Sequence, residues 1–135
     1  MPDLTGSKDT PIEWKQTAAP KIVVVIDDES DNVELTVLVL ESAGHTAHGA
    51  TAGRAGVLLA VNHAAEVAVL DHLMPDMSGA EVGKALRAHP VTKDIKILMY
   101  SGKPEATIRA LFSHYDAYLA KPAHGHELLL AIEAL

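Results

Sequence analysis

Asp71 ends the apolar run Val67-Ala68-Val69-Leu70, and His72-Leu73-Met74-Pro75-Asp76-Met77-Ser78-Gly79, a turn carrying Pro and Gly, follows at once. A run that short reads as a strand, and its abrupt stop delivers one carboxylate to the carboxyl edge of a sheet. Three other runs stop in the same manner. Lys21 to Ile26 ends on Asp27-Asp28-Glu29, Ile95 to Tyr100 on Ser101-Gly102, and Ala117 to Ala120 on Lys121-Pro122. If these strands are parallel neighbours, acids, a hydroxyl and one ammonium meet in the crevice where open α/β sheets hold their ligands. Asp27, Asp28 and Asp71 together would suit Mg²⁺, which takes a few carboxylates plus waters and phosphate oxygens.

The intervening segments have the elements needed to bring those groups together. Val33, Val37 and Leu40 recur at helical spacing in a first helix from about Ser30 or Asp31 to Ala43, and Gly44 is a natural stop. His45 to Ala50 is a weak, less apolar strand, expected at the sheet edge. Thr51 is expected to cap a second helix in which Ala55, Leu58, Leu59 and Asn62 lie along one side before His63. Ser78-Gly79-Ala80-Glu81 opens a third helix with Val82, Leu86 and His89 as its stripe, and Pro90 ends it. Pro104 and Glu105 start a fourth, with Ile108, Leu111 and Phe112 on one side; a fifth runs from Gly125 or His126 through Leu128, Leu129 and Ile132 to Leu135. Strands alternating with helices imply right-handed crossovers and an α/β, three-layer, doubly wound parallel sheet of five strands.

Length and composition bound the rest. At 135 residues the chain makes one domain, able to bury about 68% of its unfolded surface without staples. Absence of cysteine excludes disulfides and thiolate metal sites and suggests a reducing compartment. A net charge of −7, with the acids scattered, argues for a protein partner and against direct nucleic-acid binding. No apolar stretch approaches the ~20 residues of a membrane helix, so no membrane partner and a cytoplasmic location are expected. Residues 1–20 carry Pro2, Gly6, Pro11 and Pro20 among charged residues and read as a flexible extension, with Ile12 and Trp14 as exposed apolar anchors.

These strand-end residues resemble the receiver domain of response regulators, the phosphoacceptor half of two-component phosphorelay signalling, over roughly residues 21–135. The resemblance implies a flavodoxin-like (β/α)5 fold of strand order 2-1-3-4-5. It also implies that Asp71 is the phosphorylated aspartate, that Asp27 and Asp28 form the acidic Mg²⁺ pocket, that Ser101 is the switch hydroxyl and that Lys121 pairs with the phosphate. Asp28, Asp71 and the backbone carbonyl of Leu73 would be direct metal ligands, and Asp27 would act mainly through water. Tyr118 would be the aromatic that moves inward on activation, and the Lys121-Pro122 bond would be cis. The partners so implied are a histidine kinase or phosphotransfer protein, an unknown downstream protein, and a second copy of the chain through the fourth helix, fifth strand and fifth helix.

Plainer readings stand beside each role. Asp27-Asp28-Glu29 could be a helix-start cluster, Ser101 a turn residue, Lys121 a surface lysine and Tyr118 a half-buried strand tyrosine. His124 and His126 lack a third metal partner and read as solvated loop residues, and His72 would point away from Asp71 or line the rim. Two departures from the family pattern concern water: Leu73, two residues after Asp71, and Lys103, two after Ser101, offer no carboxylate or amide to orient an attacking water, so slow self-dephosphorylation is expected. Ala123 after Pro122 replaces a large aromatic. The other functions weighed are a receiver-like binding module that is never phosphorylated and, less favoured, an aspartate-nucleophile phosphatase. The phosphatase would need a second acid two residues after its nucleophile and a hydroxyl two later; Asp71 is followed by Leu73 and Pro75, and Asp27 by Glu29 and Asp31, so the spacing fails. The chain is therefore read as a non-enzyme.

Overall fold

A computed structural model describes residues 19–135; the expectations for Ile12, Trp14 and their neighbours lie outside the described residues. Strands β1 (Ile22–Ile26), β2 (Thr46–Ala50), β3 (Val67–Leu70), β4 (Lys96–Ser101) and β5 (Ala117–Ala120) alternate with helices α1 (Ser30–Ser42), α2 (Gly53–His63), α3 (Gly79–Ala88), α4 (Glu105–Leu111) and α5 (Gly125–Glu133). All pair in parallel, in the order β2-β1-β3-β4-β5, as expected. Chain direction across the sheet reverses between β1 and β3. That is the switch point at which a doubly wound sheet opens a crevice.

Alternate side chains of each strand serve opposite cores, which is why the central strands are almost wholly Val, Ile, Leu and Ala. Val24, Ile26, Ala68, Leu70, Ile97 and Met99 pack under Ala60 of α2, Val82 and Leu86 of α3, and Ile108 of α4. Val23, Val25, Val67, Val69 and Leu98 face Leu40 of α1 and Leu128 and Ile132 of α5. The fully buried Leu86 sits in the first core, where truncation to Ala costs about 2–5 kcal/mol. Gly44, at φ 95°, makes the left-handed turn out of α1 that a side chain would resist.

Two helices bury other faces than their patterns suggest. In α2 the buried residues are Gly53, Gly56 and Ala60, while Leu58 is 57% exposed. Close approach decides this, because a Cβ on Gly56 would lie 2.3 Å from Ile26 Cδ1, so only small residues let α2 settle on the sheet. In α4, Ile108 and Phe112 are buried but Leu111 is 50% exposed and does not share their side.

The capping expectation for Thr51 is also corrected. β2 ends at Ala50, the N-cap position falls on Ala52, and no side chain there accepts a hydrogen bond. Instead Asp76, from the turn after β3, accepts N–H bonds from Gly53 (2.8 Å) and Arg54 (3.0 Å). An acceptor distant in sequence thus satisfies two of the orphan donors of the first turn. At the opposite end of the sheet His45 is buried, its Nδ1 accepting the Lys21 N–H (3.0 Å) and its Nε2 lying 2.8 Å from the Glu133 carboxylate. That pair ties the end of α5 to the start of β2.

Candidate functional site

The register Ile26↔Leu70 makes Asp27 and Asp71 the next residues on neighbouring strands. Asp27 N–H donates to the Ala50 carbonyl (3.2 Å) and Asp71 N–H to the Ile26 carbonyl (3.0 Å), so each acid sits one step past its strand on a fixed backbone. On the other side Lys121 N–H donates to the Ser101 carbonyl (2.9 Å), continuing the β4–β5 ladder by one rung. β4 accordingly reaches Ser101, one residue beyond the expected end, and β3 stops at Leu70, leaving Asp71 on the turn.

That turn is closed by two backbone bonds, Met74 N–H to Met77 carbonyl (3.1 Å) and Gly79 N–H to His72 carbonyl (2.7 Å). Neither uses the Leu73 carbonyl. A Cβ on Gly79 would lie 2.1 Å from the Asp71 carbonyl oxygen, so this position requires glycine. Ser78 then caps α3: its hydroxyl accepts the Glu81 N–H (3.1 Å), and the Glu81 carboxylate accepts the Ser78 N–H (2.8 Å).

The cleft so formed encloses about 410 Å³ and is lined by Asp28, Glu29, Asp71, His72, Leu73, Ser101, Gly102, Lys103 and Lys121. Asp27 is buried beneath it, and Asp27, Asp28 and Asp71 each offer a carboxylate oxygen within 4.8 Å of the others. Lys121 Nζ lies 2.6 Å from Asp27 Oδ2 and 3.4 Å from Asp71 Oδ2. Asp27 Oδ1 also accepts the Glu29 N–H (2.9 Å). The Lys121-Pro122 bond is cis.

Three carboxylates face one ammonium, and the electrostatics show the imbalance. Burial pushes the Asp71 carboxyl up to about 6, with the Asp27 charge adding to the rise; the His72 N–H given to Asp71 Oδ1 (2.7 Å) and the Lys121 ammonium pull it back. Burial alone would lower the Lys121 ammonium, but the Asp27 hydrogen bond and the charges of Asp71 and Asp27 outweigh it and hold it above its ordinary value. Oxygen donors without sulfur or imidazole suit a hard cation such as Mg²⁺, and the excess negative charge would favour one.

Ser101 is 1% exposed and its hydroxyl accepts the Lys103 N–H (3.0 Å). The Tyr118 hydroxyl donates to the Lys103 carbonyl, so both faces of the same short loop are pinned by side chains. Leu73 lines the cleft at 55% exposure. His72 reaches the rim, whereas His124 and His126 are exposed outside the cleft. Sequence reasoning missed Asp76 and Tyr100. The Asx-type acid in a turn was the available signal for the first, and a lone aromatic at a strand end was the only signal for the second.

Residues 23–133 match the response regulator receiver domain family, and the chain belongs to it. It is similar to the cell cycle transcriptional regulator CtrA of Caulobacter vibrioides, 30% identical over 113 residues, covering 84% of this chain and 49% of CtrA. RpaA of Synechocystis, a DNA-binding dual master transcriptional regulator, is 33% identical over 115 residues, covering 84% of this chain and 48% of its own. The chain thus spans about half the length of the curated relatives it matches. Among solved structures, the chemotaxis response regulator CheY4 of Vibrio cholerae aligns at TM-score 0.78 and 27% identity, over 86% of this chain and 98% of that one. The receiver domain of sensor histidine kinase PA1611 from Pseudomonas aeruginosa, with magnesium coordinated in its active site cleft, shares the fold at TM-score 0.77 and 20% identity, over 86% and 97%.

Proposed function

We propose that Asp71 accepts a phosphoryl group from the phosphohistidine of a histidine kinase or phosphotransfer protein, in a Mg²⁺-dependent reaction that switches a protein-binding surface. The observation that carries this reading is the Asp71 carboxylate 3.4 Å from the Lys121 ammonium, with Asp27 and Asp28 oxygens within 4.8 Å at the open edge of the sheet. In the transfer an Asp71 oxygen bonds to phosphorus as the P–N bond to imidazole breaks, and the departing histidine nitrogen keeps the electron pair and takes a proton. Asp28, Asp71 and the Leu73 carbonyl would hold the ion, with Asp27 acting through water and through Lys121. Bound there, Mg²⁺ would offset the charge of the incoming phosphoryl oxygens beside the existing acids.

Lys121 pairs with the phosphoryl group as a point charge. The Ser101 hydroxyl, released from the Lys103 N–H, donates to a phosphoryl oxygen and draws the loop inward. Tyr118 follows because its hydroxyl is hydrogen-bonded to the carbonyl of the same residue, Lys103, and the shift is read on β4, α4 and β5. Residues 21–135 form the receiver unit and residues 1–20 an extension to it. The acidic balance favours a protein as the downstream partner, with a second copy meeting the α4–β5–α5 face as one such contact and the cytoplasm as the compartment. No helix among the described residues is long and apolar enough to cross a membrane.

Incubation of the chain with acetyl phosphate and Mg²⁺, followed by intact mass, tests the proposal. A stable phosphoryl adduct on the wild type, absent from Asp71→Asn and absent with chelator, is the expected result. No adduct at all would leave a binding module, and continuous release of phosphate a phosphatase.

A further inference from the structure

We propose that Tyr100 is the positioning residue for Lys121, holding its ammonium and the loop behind it at the edge of the sheet. The proposal rests on the reading of Asp71 as phosphoacceptor and names the residue that aims its cationic partner. Lys121 directly follows a four-residue strand and carries a long side chain, so the sheet ladder alone does not fix where the charge sits. Tyr100 precedes Ser101 on β4 and packs on the α1/α5 side of the sheet. Its hydroxyl accepts the Ala123 N–H (3.2 Å), and its ring centroid lies 5.4 Å from Lys121 Nζ. Two adjacent residues of β4 therefore grip the segment 121–123 at three points: the Ser101 carbonyl on the Lys121 N–H, the Tyr100 hydroxyl on the Ala123 N–H, and the Tyr100 ring beside the ammonium.

The plainer reading is a half-buried tyrosine whose hydroxyl has found a partner. The ring contact goes beyond that because of what Lys121 must do. Asp27 holds the ammonium at 2.6 Å, and a phosphoryl oxygen on Asp71 has to draw it away. A ring quadrupole attracts the cation without occupying an N–H donor and without adding a fourth negative charge, so it supports the ammonium on either partner. A carboxylate in its place would compete with the phosphoryl group. Ala123 offers only its backbone N–H to this arrangement, so the anchor has to come from the strand.

The test compares the full chain with Tyr100→Phe and Tyr100→Leu, each alone and combined with Lys121→Ala, by initial rates of adduct formation from acetyl phosphate at saturating Mg²⁺. Tyr100→Leu should slow phosphorylation about threefold to tenfold when Lys121 is present and change nothing further in the Lys121→Ala background. Equal slowing in both backgrounds, or none with Lys121 present, would overturn the proposal. Independently of phosphorylation, the Lys121 ε-methylene protons should show an upfield ring-current shift in the wild type and Tyr100→Phe that disappears in Tyr100→Leu. An unshifted wild-type signal defeats the proposal even if Asp71 is phosphorylated; a shifted signal without phosphorylation defeats only the reading of Asp71. Should Tyr100→Leu not fold, Tyr100→Phe decides the anchor: faster exchange of the Ala123 amide is expected, and unchanged exchange would refute it.

Discussion

If Asp71 is phosphorylated as proposed, Leu73 is the residue expected to set how long the phosphoryl group lasts. It lines the cleft half exposed, at the rim water would cross, yet its side chain has no atom that can orient or deprotonate that water. The side chain of Lys103, which also lines the cleft, offers donors and no acceptor. Replacing Leu73 with Asn supplies an amide oxygen, and the adduct should decay roughly tenfold to a hundredfold faster, as read by phosphate release after removal of the donor. An unchanged half-life would show that access at this rim does not limit hydrolysis. The same cleft fits the role proposed for Asp71: a carboxyl raised to about 6 is still ionised at neutral pH, and its Oδ2 faces the ammonium.

Between elements, the turn after β3 does more than carry Asp71. Its tip residue Asp76 caps α2 through two backbone N–H groups, in place of the missing local cap at Ala52. Those hydrogen bonds hold the Asp76 carboxyl below its ordinary value, the bond from Arg54 contributing most. A depressed acid stabilises the fold above its unfolded pKa and loses that contribution as pH falls. Asp76→Ala should therefore speed exchange of the Gly53 and Arg54 amides severalfold at neutral pH while those in β3 stay protected, with the difference from wild type vanishing in acid. Uniform loss of protection would mean the contact supports the whole domain rather than the start of α2.

For the whole molecule, the acid cluster works against stability. The raised Asp71 carboxyl binds its proton more tightly folded than unfolded, so the fold is stabilised below the ordinary carboxyl value of 3.8 and loses that stabilisation as pH rises through about 6. The full shift corresponds to about 3 kcal/mol, and solvent screening at this partly open carboxylate reduces it to about 1 kcal/mol. Asp71→Asn, which cannot ionise, should melt about 3–5 °C higher than wild type near pH 7.5 in chelator, with the gap closing toward pH 4. A gap independent of pH would assign the effect to packing instead of charge.

Sequence alone determined the alternation of strands and helices, the parallel class, and the placing of Asp27, Asp28, Asp71, Ser101 and Lys121 at strand ends. Each of these is written locally, in short β-branched runs that stop on polar residues and in Gly and Pro at the turns. Only the tertiary structure decided which side of α2 is buried, that Asp76 caps it, that Asp27 and Asp71 share one ammonium, and that Tyr100 sits against Lys121. Those outcomes depend on how closely a helix can approach the sheet and on distances between side chains far apart in the chain. Hydrophobic periodicity records which residues prefer burial, but contact at 2.6 or 3.4 Å is set by the packing of the elements that carry them.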